Sequence, residues 1–392
     1  MLLAPGALEA TCATEGRMPK AAWFGKALVL LAAGLQGCSS ETAGITPLAW
    51  TKVAGAGPNG SILGFGSAGD FDERGNFTVS AFKDGSTYYL YYGGADSFGT
   101  CAGINSAHWR VGLATSTDGV NFTRVRGALP GGEILDNGPA GAFDSYLTYR
   151  PFVLKDGTVW RMWYNGADKP FNCPPDRALD RHIGYAQSAD GIAWTKMNDG
   201  PGFDGSVLPL GATNDFDSQQ VGYIWVLKDT NEYKMYYSGN DSTNTWRVGL
   251  AVSSDGRNWT KKRGKLTTTL AVLDIGAAGA IDAACAYQPS VVKESDTLYR
   301  MWYRACAQPA AIGGPSGGTV GYAESNDGIT WVKIPAGGPR GEAVVAGTAP
   351  AFDSGGLTTP AVLIDGNIWA MYYAGFDTKG VFLAGLARAP RQ

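Results

Sequence analysis

The 392-residue chain has little charge of either sign and little of what metal chemistry usually needs. Charged residues make up 17%, the net charge is −3, and there are only two histidines and six cysteines. So neutral a chain lacks the basic surface that a nucleic-acid binder needs, and no nucleic-acid partner is expected. So few His and Cys confine metal binding to a very small set of positions, and no cofactor is expected. No apolar run is long enough for a membrane-spanning helix. What is abundant is glycine (56 residues) and aromatic side chains, among them 12 Trp and 18 Tyr. Ample apolar surface at low charge excludes a disordered chain. Gly and aromatics together favour strands and tight turns over helices.

The N-terminal region reads as an address. Lys20 and Lys26 precede the apolar run Ala27–Leu35, followed by Leu35-Gln36-Gly37-Cys38 and Ser39-Ser40. A basic start, a short apolar segment and a small residue before the cut describe a secretory signal. The Leu-x-Gly-Cys ending resembles a bacterial lipoprotein signal, which implies lipidation of Cys38 and membrane attachment through that anchor alone. Met18 is the natural start of this signal. The expected organisation is a signal region over 1–38, a polar tether over 39–45 and one domain over 46–392, exported and lipid-anchored at a bacterial outer membrane or surface.

That domain is repetitive. Gly112–Phe122, Gly184–Trp194, Gly249–Trp259 and Gly321–Trp331 share the pattern of a strand, a Ser-x-Asp-Gly turn and a second strand. Asp-Gly between alternating apolar residues is a strong hairpin signal. In register with it recur Tyr88–Tyr92, Trp160–Tyr164, Tyr233–Tyr237, Tyr299–Tyr303 and Trp369–Tyr373. A third repeating element is an Asp after an apolar residue. Asp72, Asp144, Asp217, Asp282 and Asp353 are spaced by 72, 73, 65 and 71 residues. Each repeat therefore holds four short strands, A to D. The expected fold is all-β: a five-bladed β-propeller of four-stranded blades. The last repeat lacks its Ser-x-Asp-Gly hairpin, while Pro47–Lys52 matches Gly191–Lys196. The N-terminal strand is thus expected to complete the fifth blade and close the ring, leaving no exposed sheet edge. A monomer is expected.

Alternating strands put the A–B and C–D hairpins on one face and the B–C and D–A connections on the other. The long connections 94–109, 166–181 and 305–318 share that second face, which is where a ligand pocket is expected.

The blade pattern, with Tyr-x-Met-Trp-Tyr followed by Gly-Tyr-Ala-x-Ser-x-Asp-Gly-Ile-x-Trp, resembles the five-bladed superfamily of glycoside hydrolases. That superfamily includes the family 43 arabinanase and xylosidase type and the family 32 invertase type. The similarity spans about residues 46–390. It implies a carbohydrate ligand and, if the chain is an enzyme, hydrolysis of an oligo- or polysaccharide by two carboxyls about 6.5–9.5 Å apart. In the family 43 type such carboxylates sit near the inner end of strand A, often directly before a proline. Here Arg150, Gln288 and Thr359 precede Pro151, Pro289 and Pro360, and Thr78 and Tyr223 hold the matching positions in the other two blades. None is acidic. A hydrolase would then need displaced carboxylates, for which Glu73, Asp72, Asp144 and Asp217 are the candidates. Glu73 stands out because Ser145, Ser218 and Ser354 occupy its place elsewhere. The Asp residues carry a second reading, since an Asp in every repeat also suits a turn fixed by backbone bonds. Two alternatives stay open: a glycan-binding propeller without the acids, and a surface scaffold that binds protein.

Side chains at alternate positions of strand A point to the channel. The candidate ligand-binding set is Asn76, Thr78, Ser80, Arg150, Tyr223, Gln288 and Thr359. Arg150 suits the carboxylate of a uronic or sialic acid, or an internal pair with a ring Asp. Trp163, Tyr236 and Trp302 read as core. The Ser-x-Asp-Gly turns also resemble the Asp box of sialidases, a structural turn on the opposite face. Export favours disulfides, expected between Cys101 and Cys173 and between Cys285 and Cys306. Cys101, His108, Cys173 and His182 as a zinc site is the rival for the first pair.

Overall fold

The structure, a computed structural model, describes residues 48–96, 109–169, 181–197, 199–202, 205–265, 268–308 and 318–391. It contains no α-helix among the described residues. Strand β1 (Thr51–Val53) precedes five antiparallel meanders. The first is β2 (Gly75–Asp84), β3 (Thr87–Ala95), β4 (Trp109–Ser116) and β5 (Thr123–Val125); the second is β6 (Leu147–Asp156), β7 (Val159–Ala167), β8 (His182–Ser188) and β9 (Thr195–Lys196). The third is β10 (Gln220–Lys228), β11 (Tyr233–Asn240), β12 (Trp246–Ser253) and β13 (Thr260–Lys262). The fourth is β14 (Cys285–Ser295), β15 (Leu298–Cys306), β16 (Thr319–Ser325) and β17 (Val332–Lys333). The last has three strands of its own, β18 (Gly356–Asp365), β19 (Ile368–Phe376) and β20 (Phe382–Pro390). Its fourth strand is β1, which pairs antiparallel with β20, Thr51 opposite Arg388. A single parallel bridge between Trp246 and Cys285 joins the third and fourth sheets. The chain is thus all-β and built of four-stranded sheets, an arrangement compatible with a propeller. The first strands are neighbours in order, β2 with β6, β6 with β10, β10 with β14, β14 with β18, and β18 with β2.

The Ser-x-Asp-Gly turns form because one side chain satisfies several amides at once. Ser116 Oγ accepts from Gly119 N, and Asp118 Oδ1 accepts from Val120 N and Asn121 N, both at 2.8 Å. Ser188 with Asp190, Ser253 with Asp255 and Ser325 with Asp327 repeat the device. The backbone donors from Asn121 and Val120 hold the Asp118 carboxyl well below the usual carboxylate range. Gly119 adopts φ +69°, and a Cβ there would sit 2.9 Å from the Tyr372 hydroxyl and the Tyr88 ring, so both conformation and space call for glycine.

Each of these turns is pinned by a neighbouring sheet. Tyr91 Oη donates to Gly191 O, Trp163 Nε1 to Gly256 O, Tyr236 Oη to Gly328 O and Tyr372 Oη to Gly119 O, all at 2.8–3.0 Å. The equivalent ring in the fourth sheet is Trp302, fully buried with no partner for Nε1. It faces the junction where the last sheet has no such turn, and Trp50 packs edge-on against it at 5.9 Å. The reading of Trp163, Tyr236 and Trp302 as core holds.

The sheets are also joined by ion pairs at their first hairpins. Lys83 pairs with Asp365 at 2.7 Å, Lys155 with Asp84, Lys228 with Asp156, and Lys293 with Asp229 at 3.0 Å. At the fifth junction Ile364 replaces the lysine, and Arg391 reaches Glu294 at 3.4 Å instead.

The expected Cys285–Cys306 disulfide is present, bridging directly opposed residues of β14 and β15 whose Cα atoms are 4.9 Å apart. Cys38, Cys101, Cys173 and His108 lie outside the described residues. Of the proposed zinc ligands only His182 is described; it is buried in β8.

Candidate functional site

The five first strands share one backbone irregularity. Between Phe77 and Val79, Tyr149 and Phe152, Gly222 and Trp225, Tyr287 and Ser290, and Thr358 and Ala361 the register shifts. At each shift sits one non-glycine residue with positive φ: Thr78 (24°), Arg150 (55°), Tyr223 (52°), Gln288 (56°) and Thr359 (47°). Three of them precede proline, which adds its own restriction. Such conformations cost of order 1–3 kcal/mol each and persist only where the surroundings over-determine them. Here the surroundings do: Tyr223 N donates to Asn165 Oδ1 at 2.9 Å, Gln288 N to Ser238 Oγ at 2.9 Å, and Thr359 N to Gln288 Oε1 at 2.7 Å. In each case a side chain from the preceding sheet catches the turned amide.

These bulges aim five side chains into one throat, a cavity of about 30 Å³ lined by Thr78, Ser80, Arg150, Tyr223, Gln288 and Thr359. The cavity has room for one or two waters and not for a sugar ring. Six of the seven sequence-expected channel residues therefore converge. Asn76 does not: it is fully buried, its Nδ2 donates to Gly64 O at 2.8 Å, and its Oδ1 accepts from Ala384 N at 2.7 Å. It brackets the first and last sheets.

Arg150 is half-buried, its guanidinium 3.4 Å from the Tyr223 ring centroid and 5.0 Å from that of Tyr149. It makes no internal pair with a ring Asp, and its Nε and Nη1 are buried without a partner. Burial pulls its pKa down to about 9, with Arg181 and Arg304 pushing the same way, so it remains a cation at neutral pH. Arg181 is anchored by Tyr149 Oη at 2.7 Å and Gln220 Oε1 at 2.5 Å, and stacks over Trp246 at 5.3 Å. Arg304 donates to Thr358 Oγ1 at 3.2 Å and lies 5.4 Å from the Tyr287 ring. Tyr223, Tyr287 and Trp246 pack mutually at 5.1–5.4 Å beside the disulfide. Sequence reasoning missed Arg181, Arg304, Tyr287 and Trp246. The repeat did carry a signal: Arg181 stands where Trp109, Trp246 and Phe382 stand in other repeats, and Arg304 where Gly93, Asn165, Ser238 and Ala374 stand.

The candidate carboxylates Glu73, Asp72, Asp144 and Asp217 lie outside the throat, each engaged by other groups. Asp72 is fully buried, bound by Tyr92 Oη at 3.0 Å and Arg124 Nη2 at 2.7 Å. Asp144 is held by Tyr164 Oη at 2.8 Å and Lys196 Nζ at 2.6 Å, and Asp217 by Tyr237 Oη at 2.7 Å and Lys261 Nζ at 2.6 Å. Asp282 with Tyr303 and Lys333, and Asp353 with Tyr373 and Lys52, complete the series. In every sheet the Asp ties the entry of the first strand to the second and fourth strands. The expectation that it would bind turn amides is corrected, because the partners are a tyrosine and a cation. Glu73 accepts from Gly69 N at 2.7 Å and lies 3.4 Å from Arg74, so it braces the turn before β2. No carboxylate among the described residues lines the throat.

The opposite end opens into a wider space of about 750 Å³. Its walls are largely aliphatic, and its rim lysines Lys83, Lys155, Lys228 and Lys293 are spent on the ion pairs between sheets.

Comparison with solved structures places the chain among glycoside hydrolase-like folds. A structure described as a complex of BT0996 with RGII superposes with TM-score 0.64 at 14% identity, over 88% of this protein and 92% of that one. A glycoside hydrolase-like protein from Parabacteroides distasonis gives 0.61 at 15% identity over 86% and 96%. The α-L-arabinofuranosidase PaAbf62A from Podospora anserina, in complex with cellotriose, gives 0.54 at 11% over 88% and 98%. At these identities the likeness is one of fold. No family model matches the chain. Among curated proteins, the uncharacterized protein Rv1502 of Mycobacterium tuberculosis is 30% identical over 202 residues. That match takes in 52% of this chain and 60% of Rv1502, so the chain spans about three-fifths of the relative's length.

Proposed function

We propose that this chain is a carbohydrate-binding protein on a five-bladed propeller, closed by β1, and that its throat recognises a saccharide without cleaving it. The order of the first strands and the pairing of β1 with β20 support the ring. The observation that carries the function is the throat itself. The strand-A positions that matter in the family it resembles hold Thr78, Arg150, Tyr223, Gln288 and Thr359 here, a set that can hydrogen-bond and stack but not exchange protons near neutral pH. The candidate acids are committed to ion pairs. The neighbours' descriptions, a glycoside hydrolase, an α-L-arabinofuranosidase in complex with cellotriose and a complex of BT0996 with RGII, support a sugar as ligand and keep hydrolysis as the second reading. The sequence signal around Cys38 supports an exported, lipid-anchored protein, a setting suited to the Cys285–Cys306 disulfide.

The test is calorimetry of the full chain against arabino-, xylo-, fructo- and uronic oligosaccharides, each mixture then analysed for products. Saturable binding with intact saccharide is expected. Cleavage would restore the hydrolase reading. Failure to bind any saccharide, with capture of a protein instead, would favour a surface scaffold.

A further inference from the structure

The throat is one-sided in its chemistry. Thr78, Gln288 and Thr359 are each more than nine-tenths buried, and the atoms they leave without a partner are Thr78 Oγ1, Gln288 Nε2 and Thr359 Oγ1. Arg150 adds Nε and Nη1. Three of these five atoms can only donate, and the two hydroxyls can donate. All belong to residues that line one cavity, and no acidic side chain among the described residues lines it with them. Buried donors are normally satisfied, and a cluster left open in one small space is a cost unless a ligand or ordered water fills it. The ligand that fits such a cluster is an acceptor with two or more oxygens and a negative charge.

We propose that the throat is a seat for the carboxylate of an acidic sugar. This rests on the carbohydrate-binding reading and names the class of sugar. Size and shape argue for a carboxylate carried on a ring. The roughly 30 Å³ of space takes a planar two-oxygen group and excludes the ring that bears it. The ring would then lie outside, against the aromatic cluster of Tyr223, Tyr287 and Trp246. The planar guanidinium of Arg150, stacked on Tyr223, presents its fork in a fixed orientation, the geometry that suits a carboxylate. Arg181 and Arg304 are held by their own partners close enough to add positive potential without filling the space. A tetrahedral phosphate shares the charge but needs more room.

The experiment titrates the full chain with oligogalacturonate and with a glucuronate-bearing xylo-oligosaccharide. Each is compared with the same oligomer after reduction of its carboxyl to an alcohol, and with inorganic phosphate. At least one acidic oligomer is expected to bind about ten- to a hundredfold more tightly than its reduced form. Arg150→Gln should remove that preference, bringing the acidic and reduced forms to similar affinity, and Arg150→Lys should restore only part of it, because charge returns without the fork. Equal affinity for acidic and reduced oligomers overturns the inference and leaves the carbohydrate reading standing. Phosphate bound in preference to both acidic oligomers overturns the assignment to a sugar carboxylate. No binding of any saccharide, neutral or acidic, overturns the carbohydrate reading itself. The comparison of acidic with reduced ligand uses the unaltered protein, so it decides the matter even if an Arg150 variant fails to fold.

Discussion

Lys52 Nζ donates to Asp353 Oδ2 at 2.5 Å, although the two residues are 301 positions apart. The same contact is made within a single sheet by Arg124 with Asp72, Lys196 with Asp144, Lys261 with Asp217 and Lys333 with Asp282. The last sheet alone takes its cation from the N-terminal strand. The bond that stabilises one sheet elsewhere here joins the two ends of the domain. Asp353 is buried while the lysine is about one-third exposed. Removing the cation strands a buried carboxylate, so Lys52→Met should cost about 3 kcal/mol, the lower end of the range for broken buried pairs. A denaturant midpoint measurement checks this. The double variant Lys52→Met/Asp353→Leu should recover part of the loss, because no charge is left unpaired.

The aromatic pins between sheets are unequal, and the difference is measurable. Trp163 Nε1 has an acceptor in Gly256 O, whereas Trp302 Nε1 has none. Trp163→Phe removes a buried hydrogen bond and leaves a carbonyl unpaired, at a cost of about 1–3 kcal/mol beyond the lost ring area. Trp302→Phe loses ring area only. Thermal melts should therefore rank Trp163→Phe as the more damaging of the two.

The Cys285–Cys306 bridge closes a loop of 21 residues at the edge of the aromatic cluster. Chain-entropy reasoning assigns such a loop about 3 kcal/mol. Reduction should lower the melting temperature by several degrees, and should weaken saccharide binding as the cluster beside Trp246 loosens. Paired calorimetric and binding measurements with and without reductant test both effects.

Acid should loosen these turns only as the pH falls into the depressed range of their carboxyls. The carboxyls of Asp118 and Asp190 are held below their ordinary range by backbone donors, Asn121 and Val120 for the first, Ala193 and Ile192 for the second. A depressed folded-state pKa means that the stabilisation is present above the unfolded value near 4 and is lost as pH falls through the folded value. Stability should accordingly be flat from pH 7 to about 5 with respect to these groups and fall below about pH 4. Asp118→Asn, which keeps an acceptor oxygen but cannot titrate, should shallow that fall in a pH series of melts.

Glu73→Gln is expected to leave saccharide binding unchanged, since Glu73 braces its own turn and does not line the throat. A binding isotherm identical to that of the unaltered chain is the expected result.

The architecture was legible because it repeats. Five copies of the Asp and of the aromatic strand, and four of the Ser-x-Asp-Gly turn, lie at near-constant spacing, so the strand pattern can be read from the repeat alone. The substitute last strand was legible for the same reason, as Pro47–Lys52 copies a segment found elsewhere in the chain. The throat was legible in part. Alternation along the first strands identified Thr78, Ser80, Arg150, Tyr223, Gln288 and Thr359, but it also named Asn76, because strict alternation cannot anticipate a register shift two residues on. The role of Asp72, Asp144 and Asp217 was not legible. A carboxylate has the same letter whether it is paired or free, and its Tyr and Lys or Arg partners lie 20 to 52 residues away. Alternation along the first strands does not reach Arg181, which directly precedes β8, or Arg304, which lies in β15.

The most direct test of the central claim is a crystal structure of the chain with a bound oligosaccharide. The account predicts an intact saccharide seated over Thr78, Arg150, Tyr223, Gln288 and Thr359, with no pair of carboxyls about 5–10 Å apart flanking a glycosidic bond. Such a pair astride the bond, or a saccharide seated in the wider opening at the opposite end, would contradict it.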